Sequence, residues 1–455
     1  MLEKETVKGS VALPKLRREV VRDSRRSITG QREPLSIIGA GRFSMRQRAL
    51  WAVAPTAGLL LACGSGGSVS PTETTPYTTR AFVHVLDQGR GVLSTFMVDP
   101  RTGGLSLVDT KAVPNVVSWS SPLAADPRGR FVYVNADAGP DVGDGSFRSY
   151  RVDGSSGTLT LASEAPMTGL HVQHVTRLAA TAGRLYFGDE YAWGGIYGGV
   201  HGANGLGVFS VDENGVLAEG SRLIRDWDDT GGFTGLFESY AEPDVVLVGY
   251  EWNYQLRALT LDATVAGGYR EIARLDCHDS GPGPVGPISS VAAADGRVFF
   301  NDDLGRLYSY ALNLEGGTFD ERGRVPDAGR PQALGAPDRL AVLAPNRWVL
   351  YDAALHHYQQ TTSIALYRVG PDGGLSPLSR LPESYFVSSP TLVFHPSGRF
   401  LYACGLPTDG SPWGSVLSKT SYVLTFSLGP DGGLTLFGSL PVAGCGPMVV
   451  TAPAS

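Results

Sequence analysis

Short apolar runs recur at nearly even intervals from Arg80 onward, and small or polar residues follow each one. They read FVHVLD from Phe82, FVYVNA from Phe131, LYFGDE from Leu185, VVLVGY from Val245, VFFNDD from Val298, WVLYDA from Trp348 and FLYACG from Phe400. Seven runs spaced 49 to 60 residues apart have the period of a propeller-like array.

Two further phrases accompany these runs. One is an alternating stretch broken by a turn, as in LSTFMVDPRTGGLSLV (93–108), FRSYRVDGSSGTLTLA (147–162) and YVLTFSLGPDGGLTLF (422–437). Alternation predicts half-buried strands. Pro and Gly at the break supply the fixed and positive φ values of a tight turn. The other phrase precedes the run, as in SPLAADPRGRF (121–131) and SPTLVFHPSGRF (389–400), and predicts an inner strand with a hairpin. Four strands per repeat and seven repeats predict an all-β fold, a seven-bladed β-propeller spanning 80–453. The C-terminal CGPMVVTAPAS is an inner-strand phrase with nothing after it, and Phe82 begins a second strand with none before it. Met448–Val450 are therefore expected to join the first blade and close the ring. The 59 Gly, 30 Pro, 18 Tyr and 17 Phe fit many short strands joined by tight turns.

Upstream stands MRQRALWAVAPTAGLLLAC, Met45–Cys63. Arg46 and Arg48 precede an apolar stretch of about 13 residues, the length of a signal-peptide core and short for a bilayer span. Leu60-Leu61-Ala62-Cys63 then resembles a bacterial lipobox, in which the cysteine thiolate accepts lipid and becomes the mature N-terminus. Residues 64–79 read as a flexible tether. Met45 is the expected start, which leaves 1–44 as a disordered upstream segment. Gly64 after the cysteine points, by resemblance to the enterobacterial sorting rule, to a lipid-anchored place in the cell envelope at the outer membrane, on its periplasmic or surface side.

Charge narrows the partners. After Cys63 the chain holds 26 basic and 39 acidic residues, an acidic body that argues against nucleic acid or anionic lipid as partner of the folded part. Of the four cysteines, Cys63 is assigned to lipid. Cys404 and Cys445 both fall near the ring closure and are the expected disulfide, with Cys277 left over. A nucleophile elbow, a phosphate-cradling loop and a Cys-x-x-Cys pair are all missing from the sequence.

The phrases DPRGRFVYVNAD, FMVDPRTGGLSLV and HPSGRFLYACG resemble the β-propeller lactonase family, which includes propeller-type 6-phosphogluconolactonases and fungal muconate-lactonising enzymes. The resemblance covers about 80–453 and implies the propeller fold and, as an activity, lactone opening. It also implies a His-x-His before an inner strand and an Asp-Leu-Gly after the following one. Here LHVQHVTRL sets His171 and His174 one residue further apart, and Asp189 and Glu190 follow the next strand. Asp303-Leu304-Gly305 matches the second half of the pattern two blades later.

The polar residues fall mostly in loops expected on one propeller face. His171 or His174 is the candidate general base, Asp189 or Glu190 its orienting carboxylate or an ion ligand, and Arg177 an anion clamp. Tyr191, Trp193, His201, Glu251, Trp252, Asn253, Tyr254, Asp303, His356 and His357 are candidate ligand contacts. A divalent cation is the cofactor left open, with His174, Asp189, Glu190 and His201 as donors, and the metal is unspecified. Two functions stand side by side. The first is a tethered monomeric module that binds a small molecule or an envelope protein. The second is a hydrolase of a sugar lactone or another small lactone.

Overall fold

The computed structural model describes residues 80–453 with gaps at 115, 117–122, 137–144, 167–174, 182, 190–204, 219–220, 226–238, 241–244, 251–254, 263–268, 278–287, 289, 295, 303–305, 327, 329, 336–338, 346–349, 353–356, 360–361, 382–384, 387–391, 408–419 and 445. Every regular element among the described residues is a strand.

The strands form seven antiparallel blades. Blade I holds β1 (Phe82–Asp87), β2 (Val92–Val98) and β3 (Leu105–Ala112). Blade II holds β4 (Leu123–Ala125), β5 (Phe131–Ala136), β6 (Ser146–Val152) and β7 (Leu159–Pro166). Blade III holds β8 (Val175–Ala180), β9 (Arg184–Asp189), β10 (Gly205–Ser210) and β11 (Ser221–Arg225). Blade IV holds β12 (Ser239–Tyr240), β13 (Val245–Tyr250), β14 (Gln255–Leu261) and β15 (Tyr269–Asp276). Blade V holds β16 (Ser290–Ala294), β17 (Arg297–Asn301), β18 (Leu307–Asn313) and β19 (Thr318–Val325). In blade VI, β20 (Arg330–Gly335) and β21 (Arg339–Pro345) are followed by a separate hairpin of β22 (Leu350–Asp352) and β23 (His357–Gln359), then by β24 (Thr362–Val369) and β25 (Leu375–Arg380). Blade VII holds β26 (Tyr385–Phe386), β27 (Leu392–Phe394), β28 (Phe400–Pro407), β29 (Ser421–Leu428) and β30 (Leu434–Val442), with β26 and β27 both paired to β28. Finally β31 (Met448–Thr451) pairs with β1, placing Met448 opposite Val85 and Thr451 opposite Phe82. The C-terminal strand thus closes the ring as the phrases predict.

The sixth run is the exception. The second strand of blade VI is β21, RLAVLAP, and the WVLYDA phrase supplies β22 of the inserted hairpin. The inserted hairpin carries an apolar pattern stronger than that of the blade strand it follows.

Seven apolar clusters fill the seven junctions between neighbouring blades. Phe82, Leu86 and Leu93 of blade I, for example, meet Val132, Val134 and Tyr150 of blade II. Val83 and Val85, on the opposite face of β1, meet Tyr402 and Val423 of blade VII. Each second strand is therefore apolar on both faces, which is why these runs read as continuous rather than alternating.

A second device locks adjacent blades. In blades I, II, IV, V, VI and VII the ladder between third and outer strands slips by one residue at the same place. In blade I the slip lies between Thr95 and Phe96 and leaves Val108 as the extra residue, a β-bulge. Val108 is aimed at Gly157, in the hairpin turn of blade II. A Cβ there would sit 2.5 Å from Phe82 Cδ1 and 3.1 Å from Val108 Cγ2. At the blade VII–I junction, Gly103 lies on Phe400 at φ +72°, and the Tyr402 hydroxyl donates to the Gly103 carbonyl at 3.2 Å. Ser309 donates likewise to the Gly373 carbonyl at 2.6 Å and Ser379 to the Gly432 carbonyl at 3.0 Å.

Two polar features sit at the closure. His84 is fully buried, with Nδ1 3.0 Å from Thr95 Oγ1 and Nε2 2.9 Å from Thr451 Oγ1, so it ties β2, β1 and β31 together. Cys404 is disulfide-bonded, and Cys277 is a free buried thiol. Cys63 and Cys445, the two remaining cysteines, lie outside the described residues.

Candidate functional site

Antiparallel pairing sends the second-to-third and outer-to-inner connections to one end of the ring, the loop face. The inner-to-second and third-to-outer turns emerge at the other end, the turn face. The candidate residues can be placed against this frame. Arg177, in β8, is registered opposite Gly188. Asp189 ends β9 opposite Val175. Their backbones therefore lie near each other at the loop-face end of blade III, where Asp189 was expected to orient the base and Arg177 to hold an anion. His357 opens β23 opposite Asp352, in the insertion between the second and third strands of blade VI and on the same face. His171, His174, Glu190, Tyr191, Trp193, His201, Glu251, Trp252, Asn253, Tyr254, Asp303 and His356 lie outside the described residues, as do Cys63 and Cys445.

The described polar constellation of this face is in blade V, beside Asp303. Asp302 leaves the end of β17 with its side chain wholly buried. Its Oδ2 accepts from Arg306 Nε at 2.7 Å and lies 2.6 Å from Arg306 Nη2, and its Oδ1 accepts the Arg306 backbone N–H at 3.0 Å. The Tyr308 hydroxyl donates to the same Oδ2 at 3.0 Å, and the guanidinium carbon of Arg306 stands 5.7 Å from the Tyr308 ring centre. Phe300 stacks against Tyr308 from below at 5.3 Å. Asn301 donates from Nδ2 to the Asp302 carbonyl at 2.9 Å. Burial, then the hydrogen bond to Asp302 and its charge, push the Tyr308 phenol above its ordinary range, so it stays a neutral donor. The outcome is a guanidinium fixed by a buried carboxylate and an aromatic ring, with about a quarter of the Arg306 side chain still open to solvent. Such a fork suits planar anions.

Sequence reading places Asn301, Asp302 and Asp303 on this face, names only Asp303 as a ligand contact, and misses Arg306 and Tyr308. The signal was present as an Asp followed four residues later by an Arg between two strand phrases. Blade I repeats it more weakly: buried Asp87 accepts the Arg90 backbone N–H at 3.1 Å, and the two side chains pair at 4.0 Å.

Other reactive groups are set for structure. Burial foremost, with the charges of Asp276 and Asp302, pushes the Cys277 thiol up to about 12, so it is no nucleophile at neutral pH. Burial lowers His84 to about 3. His395 lies on the turn face and accepts the Ser397 N–H at Nδ1. Burial and then Arg399 hold it at about 4. No group of three metal-ligating side chains occurs among the described residues. A cleft of about 530 Å³ between blades I and II, lined by Lys111, Arg148, Tyr150 and Glu164, opens at the rim, away from the loop-face constellation. Its Arg148 is already paired with Glu164 at 2.8 Å.

No family profile and no curated protein sequence matches the chain. Among solved structures it is similar to a Bacteroides fragilis protein whose assignment as a 6-phosphogluconolactonase is provisional (TM-score 0.58, 13% identity, 83% of this chain and 99% of that one). A provisional 6-phosphogluconolactonase from Bacteroides uniformis gives 0.58 at 14% identity, over 82% of this chain and 100% of that one. The Pseudomonas aeruginosa periplasmic gluconolactonase gives 0.58 at 15% identity, over 83% and 100%. At these identities the likeness establishes the fold: the chain is built as these lactonase-type propellers are, over their whole length.

Proposed function

We propose that the protein is a cell-envelope lipoprotein whose propeller binds a small anionic, polyhydroxylated ligand, such as a sugar acid, on its loop face. The observation that carries this is the Asp302–Arg306–Tyr308 constellation, in which a buried carboxylate holds the Arg306 guanidinium in one orientation with about a quarter of that side chain exposed. A pre-oriented Arg loses little conformational freedom on binding a carboxylate bidentately. The signal-like segment and Cys63 support the envelope assignment, as does the periplasmic location named for the Pseudomonas aeruginosa structure.

A second reading, opening of a sugar lactone, is favoured by the likeness to that gluconolactonase. It would use His171 or His174 as base, with Asp189 or Glu190 orienting it. One experiment separates the two. Gluconate binding is measured by calorimetry, and lactone hydrolysis by pH-stat, for the wild type, Arg306→Ala and the double variant His171→Ala/His174→Ala. Gluconate binding lost only in Arg306→Ala, with no turnover in any protein, supports the binder. Turnover abolished by the histidine variant supports the hydrolase. No gluconate affinity and no turnover removes both.

A further inference from the structure

Six large apolar side chains are more than a third exposed among the described residues: Met97, Leu107, Leu161, Val216, Leu314 and Phe437. All six belong to the same end of the ring. Met97 is the second-last residue of β2 and Leu107 the third of β3. Leu161 is the third residue of β7 and Phe437 the fourth of β30. Val216 and Leu314 lie in the third-to-outer turns of blades III and V. The loop-face halves of the same outer strands expose no large apolar side chain among the described residues. The most exposed three, Leu107 at 58%, Phe437 at 55% and Leu161 at 50%, stand on blades I, VII and II, which are neighbours across the ring closure.

The chain enters at this same place. Phe82 opens β1 at the turn face, directly opposite Met97. The 16 residues between Cys63 and Arg80 can span at most roughly 55 Å when extended. A lipid on Cys63 would therefore keep this rim within reach of the bilayer. The charges of the face are also sorted. The carboxylates of Asp99, Asp153 and Asp212 fold back onto N–H groups of their own turns. Around blades VII, I and II, Arg101, Arg128 and Arg399 are exposed, whereas the exposed Glu213 and Glu315 of this face stand on blades III and V. Apolar side chains interspersed with arginines are the composition of a surface that rests in the headgroup region of a membrane.

We propose that the turn face around blades VII, I and II is a lipid-contacting surface, so that the propeller lies on the membrane that holds its anchor and turns its loop face away. This places a local exception on a body whose net charge is acidic. The occupant rests on the lipoprotein reading above, and the test keeps the two apart. Unit 70–455, compact and closed on itself, is mixed without any lipid anchor with phosphatidylcholine vesicles, with and without phosphatidylglycerol. Cosedimentation is expected with both, stronger with the anionic lipid. Leu107→Ser/Leu161→Ser/Phe437→Ser should weaken it by roughly tenfold or more, because three exposed apolar contacts are removed. Arg101→Glu/Arg399→Glu should remove the preference for phosphatidylglycerol. Absence of vesicle binding, or equal binding by the triple variant, overturns the proposal. So does a dimer in sedimentation that the triple variant converts to a monomer. Acyl incorporation into the full chain, and its loss in Cys63→Ser, tests the anchor separately.

Discussion

Burial keeps His84 a neutral imidazole with a single ring proton, and the groups at its two ring nitrogens are the neutral hydroxyls of Thr95 and Thr451. In the unfolded chain it titrates near 6.5. Its folded value is lowered to about 3, so the unfolded state binds the extra proton between these limits. Stability is then intact above pH 6.5 and falls as the pH drops toward 3. His395, lowered to about 4 by burial and then Arg399, adds the same sign over pH 6.5 to 4. The melting temperature should fall steadily from pH 6.5 to 4, and His84→Gln should flatten that slope. Equal slopes in wild type and variant would dismiss His84 as the titrating group. At Asp302 the expectation concerns a buried carboxylate. Asp302→Ala removes the acceptor that Arg306 and Tyr308 share and should cost about 1.5–3 kcal/mol in denaturant unfolding, whereas Arg306→Lys, which keeps the charge but loses the fork, should cost less. Equal costs would mean that the two guanidinium contacts to Oδ2 contribute nothing beyond the charge. The role of His84 was not legible in sequence, because it sits in an apolar run like any core residue, and the four-residue spacing of Asp302 and Arg306 was present without any mark that the Asp302 carboxylate is buried.

At the scale of elements, the turn phrases were the clearest part of the sequence, because Asp-Pro-x-x-Gly and Pro-Asp-Gly state their backbone conformation. Their second role appears only in three dimensions: each such glycine is the flat surface on which the preceding blade rests. Gly103→Ala should therefore be costly twice. Its φ is +72°, and a Cβ would stand 2.4 Å from Phe400 Cδ1. A loss of about 2–3 kcal/mol is expected. Gly296 has a similar φ of +74° but nothing within 4 Å, so Gly296→Ala should cost about 1 kcal/mol, the backbone part alone. Chemical denaturation of the two variants checks the difference; equal losses would deny the latch. The bulges that aim Val108 and its counterparts left no mark in the sequence, since one extra residue in an alternating strand looks like an ordinary continuation. The same limit explains blade VI. RLAVLAP is apolar but lacks the aromatic of the other runs, and WVLYDA, in the inserted hairpin, carries the stronger pattern.

For the whole molecule, closure decides whether seven blades act as one. The last strand contributes Met448 to the cluster shared with Val83, Val85, Tyr402 and Cys404, and Thr451 to His84. The unpaired ends of the phrase pattern were enough to predict this joint. The sequence reading also expected a Cys404–Cys445 disulfide at this joint. Cys404 lies in that same cluster and is disulfide-bonded. Gly444 and Gly446, which flank Cys445, approach Asp87 and the Leu86 carbonyl at the end of β1. We propose Cys445 as the partner, which would staple blade VII to the segment that leads into the closing strand. Removing residues 447–455 should expose the edge of β1 and uncover Val83 and Val85, at a cost on the order of 5 kcal/mol and with a tendency to associate through the free edge. Cys445→Ser should act through the unfolded state instead: it lowers the melting temperature under oxidising conditions and leaves the reduced protein unchanged. The pair of experiments separates strand from staple. If reduction of the wild type and Cys445→Ser give the same melting temperature, and truncation falls well below both, the strand closes the ring and the disulfide only holds it shut. If Cys445→Ser still loses stability on reduction, Cys404 has another partner and the closure depends on pairing and packing alone.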